Sequence, residues 1–136
     1  MIAHRGPAWW ARSLRRPGTK VLLLTFGGTV QGYTSFGAAR ALSSPRTGEI
    51  FELYLAPTFQ GLGFGKKLFY AARRALELKG RRSLIVWALA DNESACAFYQ
   101  RLGGKQSATA AEHYGDVTLS RVAFFWEPVS RRAAKS

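Results

Sequence analysis

Cysteine, histidine and acidic residues are scarce in this chain. The single cysteine, Cys96, excludes an intrachain disulfide and any metal centre built on several thiolates. The two histidines, His4 and His113, are not spaced as a ligand pair, so no metal site is expected. No apolar run nears the ~20 residues of a membrane-spanning helix, and the longest, VLLL, is strand-sized. The opening MIAHRGPAWWARSLRR holds no apolar stretch suited to a signal peptide, which makes a cytoplasmic location the expectation. Eight acidic residues stand against twenty basic ones, a net charge of +12. Such a field favours anionic partners: nucleic acid, acidic proteins, membrane surfaces or polyphosphate cosubstrates. The basic residues are scattered, however, with clusters only at RSLRR, GKK, two Arg-Arg pairs and the tail SRRAAKS. Charge alone decides nothing.

What is present is an ordinary soluble composition, 47% hydrophobic and 21% charged over 136 residues. The length suits one domain, residues 1–136, with a basic tail over 128–136. KVLLLTF and TVQGYTSFGAA flank Gly27-Gly28 and read as a hairpin with a two-residue turn. SSPRTG is a loop, and EIFELYLAP is a third strand closed by Pro57. From Gly65 the period changes: Leu68, Ala72, Ala75 and Leu76 share a helical face, and Gly80 supplies the stop. RSLIVWALAD is a nearly continuous apolar strand, expected to be central and covered on both faces. Asn92 fits the N-cap of a second helix, ESACAFYQRL, which closes at Gly103-Gly104. DVTLSRVAFFW is a fifth strand whose aromatic end should be buried, and residues 1–16 fit an amphipathic helix carrying Trp9, Trp10 and Leu14. The order predicts a mixed α/β sheet, antiparallel first and then crossing over in parallel through a glycine-rich turn.

That turn, QGLGFGKK, is the feature that asks for an explanation. A P-loop needs a glycine five residues before the Gly-Lys pair and Ser or Thr after it; here those positions are Gln60 and Lys67. The dinucleotide pattern G-x-G-x-x-G would require glycine at Lys66. NTP hydrolysis and hydride transfer both drop out. What remains is a strand, a run of glycines that lets the backbone come close to a ligand, and a helix whose free N–H groups point back. Such a terminus binds phosphate through unpaired donors and the helix dipole, and Lys66 and Lys67 add charge beside it.

EIFELYLAPTFQGLGFGKKL resembles the core of the GNAT superfamily of acetyl-CoA-dependent N-acetyltransferases, whose Q/R-x-x-G-x-G/A signature is met by Gln60, Gly63 and Gly65. ALADNESACAFYQRLGGK is similar to the family's second signature: a strand, an asparagine, and a helix with a tyrosine before a glycine-ended FYxxLG. The hairpin GGTVQGYTSFG resembles its early strands, so the likeness runs from about Lys20 to Trp126. The resemblance implies a mixed central sheet with splayed central strands and helices on both faces. It implies coenzyme A pyrophosphate on the amides of Gly61, Leu62, Gly63, Phe64, Gly65 and Lys66, with Gln60 opening the turn. The pantetheine arm would pair with Leu53, Tyr54 and Leu55, one of whose amides would polarise the acetyl carbonyl. Asn92 corresponds to an asparagine that often contacts the cosubstrate, while capping explains it equally well. Tyr99 matches the tyrosine that protonates the departing thiolate; packing as a core aromatic is its other reading.

The general base is Glu49 or Glu52 by the same resemblance. Glu49 occupies the position used in several members; Glu52 is nearer the acetyl end but falls on the other face of the strand unless a bulge intervenes. Members with a glutamate on the next strand carry it where this chain has Trp87. Cys96 fits a core thiol, since direct transfer needs no acyl-enzyme. Two departures stand out. Only residues 1–19 precede the hairpin, where the family usually has a strand and helices, and Gly104 replaces a common aromatic, which predicts looser packing. The expected activity is acetyl transfer from acetyl-CoA to an amine, the acceptor being illegible, with no metal and no membrane partner. The alternatives are a non-catalytic CoA-binding module and, further off, a basic nucleic-acid-binding domain. A homodimer is expected from the short N-terminus and the aromatic strand VAFFW.

Overall fold

Gly27 and Gly28 both take positive φ, 61° and 80°, the type I′ geometry whose twist suits a two-residue hairpin. They join β1 (Lys20–Phe26) to β2 (Thr29–Ala38). The computed structural model describes residues 18–40 and 44–128. The helix expected over 1–16, with Trp9, Trp10 and Leu14, lies outside the described residues, as do His4 and most of the basic tail. After β2 come β3 (Thr47–Leu55), a 3-10 turn (Pro57–Phe59), α1 (Phe64–Leu78), β4 (Ser83–Leu89), α2 (Glu93–Arg101), β5 (Lys105–Tyr114) and β6 (Val117–Trp126). The strands form one sheet in the order β1-β2-β3-β4-β6-β5. Among the described residues β3 and β4 make its one parallel pair.

Both helices end on the bond pair that glycine permits after the last turn. Gly80 N–H donates to Glu77 O and Arg81 N–H to Leu76 O (both 2.9 Å); Gly103 and Gly104 repeat this with Gln100 O and Tyr99 O (both 3.0 Å). On α1, Leu68, Phe69, Ala72 and Leu76 are buried against Ile50, Leu53 and Phe36 of the sheet. Ala95 and Tyr99 of α2 enter the same core, where they meet Phe124 and Trp126 of β6. Among the described residues both helices therefore cover one face. The other face carries a smaller apolar cluster, Ala39, Ile85 and Ala123, flanked by Trp87 and Phe125. The central strand is apolar on both sides as expected, with Leu84, Ile85 and Val86 all buried.

Two expectations need correction. Among the described residues the sheet has six strands, not five: KQSATAAEHY forms β5, paired along its length with β6. It is polar and mostly exposed, so no apolar alternation marks it; its signal is the tight turn Gly115-Asp116 between Tyr114 and Val117. Gly104, secondly, does not loosen the fold. It is buried, and a Cβ placed on it would lie 2.6 Å from Cζ2 of Trp126. The missing side chain is the space in which the indole sits, its Nε1 donating to Leu102 O at 3.0 Å.

Candidate active site

β3 and β4 pair only from Thr47↔Ser83 to Ile50↔Val86 and then part, opening the centre of the sheet. A second irregularity sits at the same place. The β2–β3 register runs Gly37↔Glu49 and Phe36↔Ile50, then jumps to Ser35↔Glu52, so Phe51 is a bulged residue in β3. Three positions apart on a regular strand, Glu49 and Glu52 would face opposite sides. The bulge resets the alternation, so both turn away from the core formed by Ile50, Leu53 and Leu55.

Glu49 and Glu52 line a cavity of about 230 Å³ in this opening, together with Trp87, Asn92, Tyr99 and Arg121. Their environments differ. Glu49 is 1% exposed and fully engaged by one residue: Arg40 donates its backbone N–H to Oε1 (3.0 Å) and Nη2 to Oε2 (2.9 Å). Glu52 is 4% exposed, and Oε2 accepts a 2.9 Å bond from the buried Tyr33 hydroxyl. Thr34 Oγ1 donates to the Glu52 carbonyl (2.9 Å), pinning the backbone beyond the bulge. Tyr33 itself stacks on Tyr54 with ring centroids 5.6 Å apart. Tyr99 serves both as a core aromatic, edge-on to Phe98 and Trp126, and as a wall of the cavity. Burial first, then the neighbouring Cys96 and Glu52, push its phenol well above the ordinary tyrosine value. Asn92 caps α2, its Oδ1 accepting from Ala95 N–H (3.1 Å), and borders this same cavity rather than the glycine turn. Cys96 is partly buried; burial and Glu93 raise its thiol above the usual value.

The glycine turn builds a second cavity, about 470 Å³, between the N-terminus of α1 and the outer side of α2. Gly61 and Gly63 have φ of 79° and 87°, and a Cβ on either would point into open space. The concave path is therefore set by left-handed backbone, which disfavours any side chain. Gly63 is the N-cap of α1 without a side-chain cap, and the first helical bond runs from Lys67 N–H to Gly63 O (3.2 Å). The amides of Phe64, Gly65 and Lys66 consequently have no acceptor within the helix and face outward at its positive end. Gly65 is buried against Phe98, so the turn and α2 stay close. Gln60 lines the cavity too, and its Nε2 ties the turn back to the end of β3 by donating to Leu55 O at 3.0 Å. Leu62 is exposed, and Lys66 and Arg101 border the cavity. Leu53 and Leu55 bury their side chains in the core, while their backbone belongs to the stretch of β3 beyond the last β4 pair. The two cavities meet α2 at consecutive residues, Tyr99 for the first and Phe98 for the second.

Sequence reasoning missed the far wall of the first cavity. Glu112, Tyr114 and Arg121 come from the β5–β6 hairpin. Arg121 Nε lies 3.1 Å from Glu112 Oε2, off the hydrogen-bond line, and its guanidinium sits 4.7 Å over the Trp87 ring. Reading Gly115-Asp116 as a turn would have brought this hairpin into view. Arg40, the partner of Glu49, carried no sequence signal. Among the described residues no group of three His, Cys, Asp or Glu could hold a metal ion, and no helix is long and apolar enough to cross a membrane.

Known proteins with this pattern are numerous. Residues 3–104 match the acetyltransferase (GNAT) family. An uncharacterized N-acetyltransferase of Bacillus subtilis, YuaI, is 30% identical over 103 residues, 76% of this chain and 59% of that protein. Mycothiol acetyltransferase of Paenarthrobacter aurescens is 41% identical over 59 residues, 43% of this chain but 18% of its own length. This chain thus spans less than two thirds of either relative. In fold, it superposes on the ribosomal-protein-S18-alanine N-acetyltransferase of Escherichia coli with a TM-score of 0.73 at 20% identity, covering 94% of this chain and 80% of that one. A GNAT family acetyltransferase of Elizabethkingia anophelis, solved with acetyl-CoA bound, gives 0.71 at 14% identity, covering 90% and 83%.

Proposed function

The chain belongs to the acetyltransferase (GNAT) family, and from that premise we propose that it moves the acetyl group of acetyl-CoA to a primary amine by direct transfer, with both substrates bound at once. One observation carries the reading: a helix N-terminal turn with free amides and a carboxylate-lined cavity meet across α2 where the sheet opens. The amides of Phe64, Gly65 and Lys66 fit a pyrophosphate, with Lys66 and Arg101 supplying charge. Gly61 and Gly63 give the turn its left-handed path around that space. The β3 stretch at Leu53–Leu55 fits an extended pantetheine arm entering between the parted strands.

Within the first cavity the two glutamates divide the work. Glu49 has both oxygens committed to Arg40 and serves as that residue's anchor. Glu52 is the base. It takes the proton that the attacking amine must lose, directly or through water, as the C–N bond forms and the C–S bond breaks. Tyr99 donates a hydrogen bond to the departing sulfur. Even at its ordinary pKa of about 10 a phenol is a weaker acid than a thiol at about 8.5, and burial widens that gap. Tyr99 therefore stabilises the thiolate without surrendering its proton, which the leaving group gains from solvent.

Calorimetric titration with acetyl-CoA and free CoA tests the donor half. Micromolar binding by the wild type and its loss in Gly63→Glu are expected, because that change puts bulk and negative charge into the cradle. A folded wild-type protein that binds neither compound refutes the proposal. For the chemistry, Glu52→Gln should keep acetyl-CoA binding and lose turnover ~100-fold or more, the scale of a lost general base. Glu49→Gln should lose far less.

A further inference from the structure

The wall supplied by the β5–β6 hairpin holds a cation whose recognition capacity is not used up. Glu112 engages only Nε of Arg121, and the ring of Trp87 covers one face of the guanidinium. Its two terminal nitrogens make no hydrogen bond to any described residue, and the side chain is 30% exposed. The result is a guanidinium held in a fixed plane at the cavity rim with two adjacent N–H groups to offer. That is the arrangement that accepts a carboxylate through parallel bonds. Arg40 differs in that Glu49 already takes its Nη2 and its backbone N–H. The same cavity presents Glu52, so a cation-binding carboxylate and an anion-binding guanidinium face one small space of about 230 Å³. That volume lies below the ~300–1,000 Å³ of sites for drug-sized ligands. The excess of positive charge over the whole chain, +12, also draws in acceptors that bear a negative group and repels polycations.

We propose that the acceptor is an amine carrying a carboxylate close by, of the α-amino-acid type, with Arg121 holding the carboxylate while the amine faces Glu52. This rests on the acetyltransferase reading above. Arg121 is then a specificity residue: it binds the acceptor's anionic end and takes no part in proton transfer.

The test is a rate comparison across L-α-amino acids and their matching α-carboxamides at saturating acetyl-CoA, reading CoA release, with acetyl-CoA affinity measured on the same samples. We expect at least one amino acid to be acetylated with a KM ~10- to 100-fold below that of its carboxamide, the range for a charge-assisted bidentate contact. Arg121→Met should raise KM for that amino acid to the level of the amide with kcat little changed. Arg121→Lys, which keeps the charge and the packing stem, should recover only part of the preference. Purely structural damage would instead lower kcat for both acceptors alike, and that result overturns the proposal. Acetyl-CoA binding without acetylation of any carboxylated amine, or with amides preferred, also overturns it and leaves the acetyltransferase reading standing. Failure of the folded protein to bind acetyl-CoA removes both.

Discussion

Replacing Gly104 with alanine should destabilise the protein by an amount that the structure makes calculable. Its φ is not positive, so alanine suffers no backbone strain there and the effect is one of contact alone. The new Cβ would stand 2.6 Å and 2.8 Å from Cζ2 and Cη2 of Trp126, and 3.0 Å from Tyr99 O. The carbonyl belongs to the bond that closes α2, and Trp126 is 4% exposed between Phe69 and Tyr99, so neither neighbour yields freely. Overpacking of this kind costs about 1–3 kcal/mol. Shifting the indole also weakens its bond to Leu102 O, which adds about 1 kcal/mol. The sum, about 2–4 kcal/mol, should lower the urea midpoint by about 1.3–2.7 M for a slope of about 1.5 kcal/mol/M. A companion variant sharpens the test. Trp126→Phe removes the ring edge that collides, so the double variant Gly104→Ala/Trp126→Phe should be more stable than the two separate losses predict. A midpoint shift below ~0.3 M for Gly104→Ala, or strict additivity in the double variant, would refute the idea that this glycine exists to seat the indole.

Two further outcomes follow from the site. Arg40→Met should cost about 1–2 kcal/mol in urea unfolding, because it strips the cation from a buried Glu49 but leaves the backbone donor in place; the figure is discounted because the Arg40 side chain is 46% exposed. Adding Glu49→Gln should restore most of that loss, and an additive double variant would count against the pairing. Tyr99 gives a pH signature. Its folded pKa is raised, so the native state keeps a proton that the unfolded chain releases above about pH 10. Stability that Tyr99 contributes is present below that pH and falls as pH rises above it. The wild type should lose stability more steeply than Tyr99→Phe between pH 9.5 and ~11, and parallel curves in chemical denaturation would exclude a phenol perturbed in the fold.

The legible parts of this chain are those where one residue type has one physical use. Gly27-Gly28, Asn92, Gly80 and Gly103 announced a hairpin, a cap and two helix ends, and each does that work. The central strand was plain because Leu84, Ile85 and Val86 are apolar on both faces. β5 was invisible for the converse reason: an exposed strand held by backbone pairing to one neighbour needs no apolar period. The consequence reached the site, since Glu112, Tyr114 and Arg121 entered only with that hairpin. Gly104 misled because a glycine in sequence shows what is absent, while the fold shows what fills the space. The contact of Arg40 with Glu49 joins the chain just beyond β2 to a residue inside the neighbouring strand β3, and has no local trace.

The bulge at Phe51 and the parting of β3 from β4 occur at the same level of the sheet, and the site needs both. With the bulge alone, Glu49 and Glu52 would share a face, but that face would lie over a closed ladder with no passage toward α2. With the separation alone, a gap would exist, but Glu52 would take the place of Leu53 in the apolar core, where an ionised carboxylate is costly to hold. The parallel ladder stops at Ile50, immediately before the bulged residue, and β2 picks up its new register at Glu52. One extra residue thus does two things: it turns the second glutamate out of the core, and it shifts the strand where its far edge leaves β4. The bonds from Tyr33 and Thr34 to Glu52 then fix the altered register from the β2 side. A strand pattern read at strict period two would place Glu52 in the core, so the position of this irregularity is as much a part of the site as the carboxylate it presents.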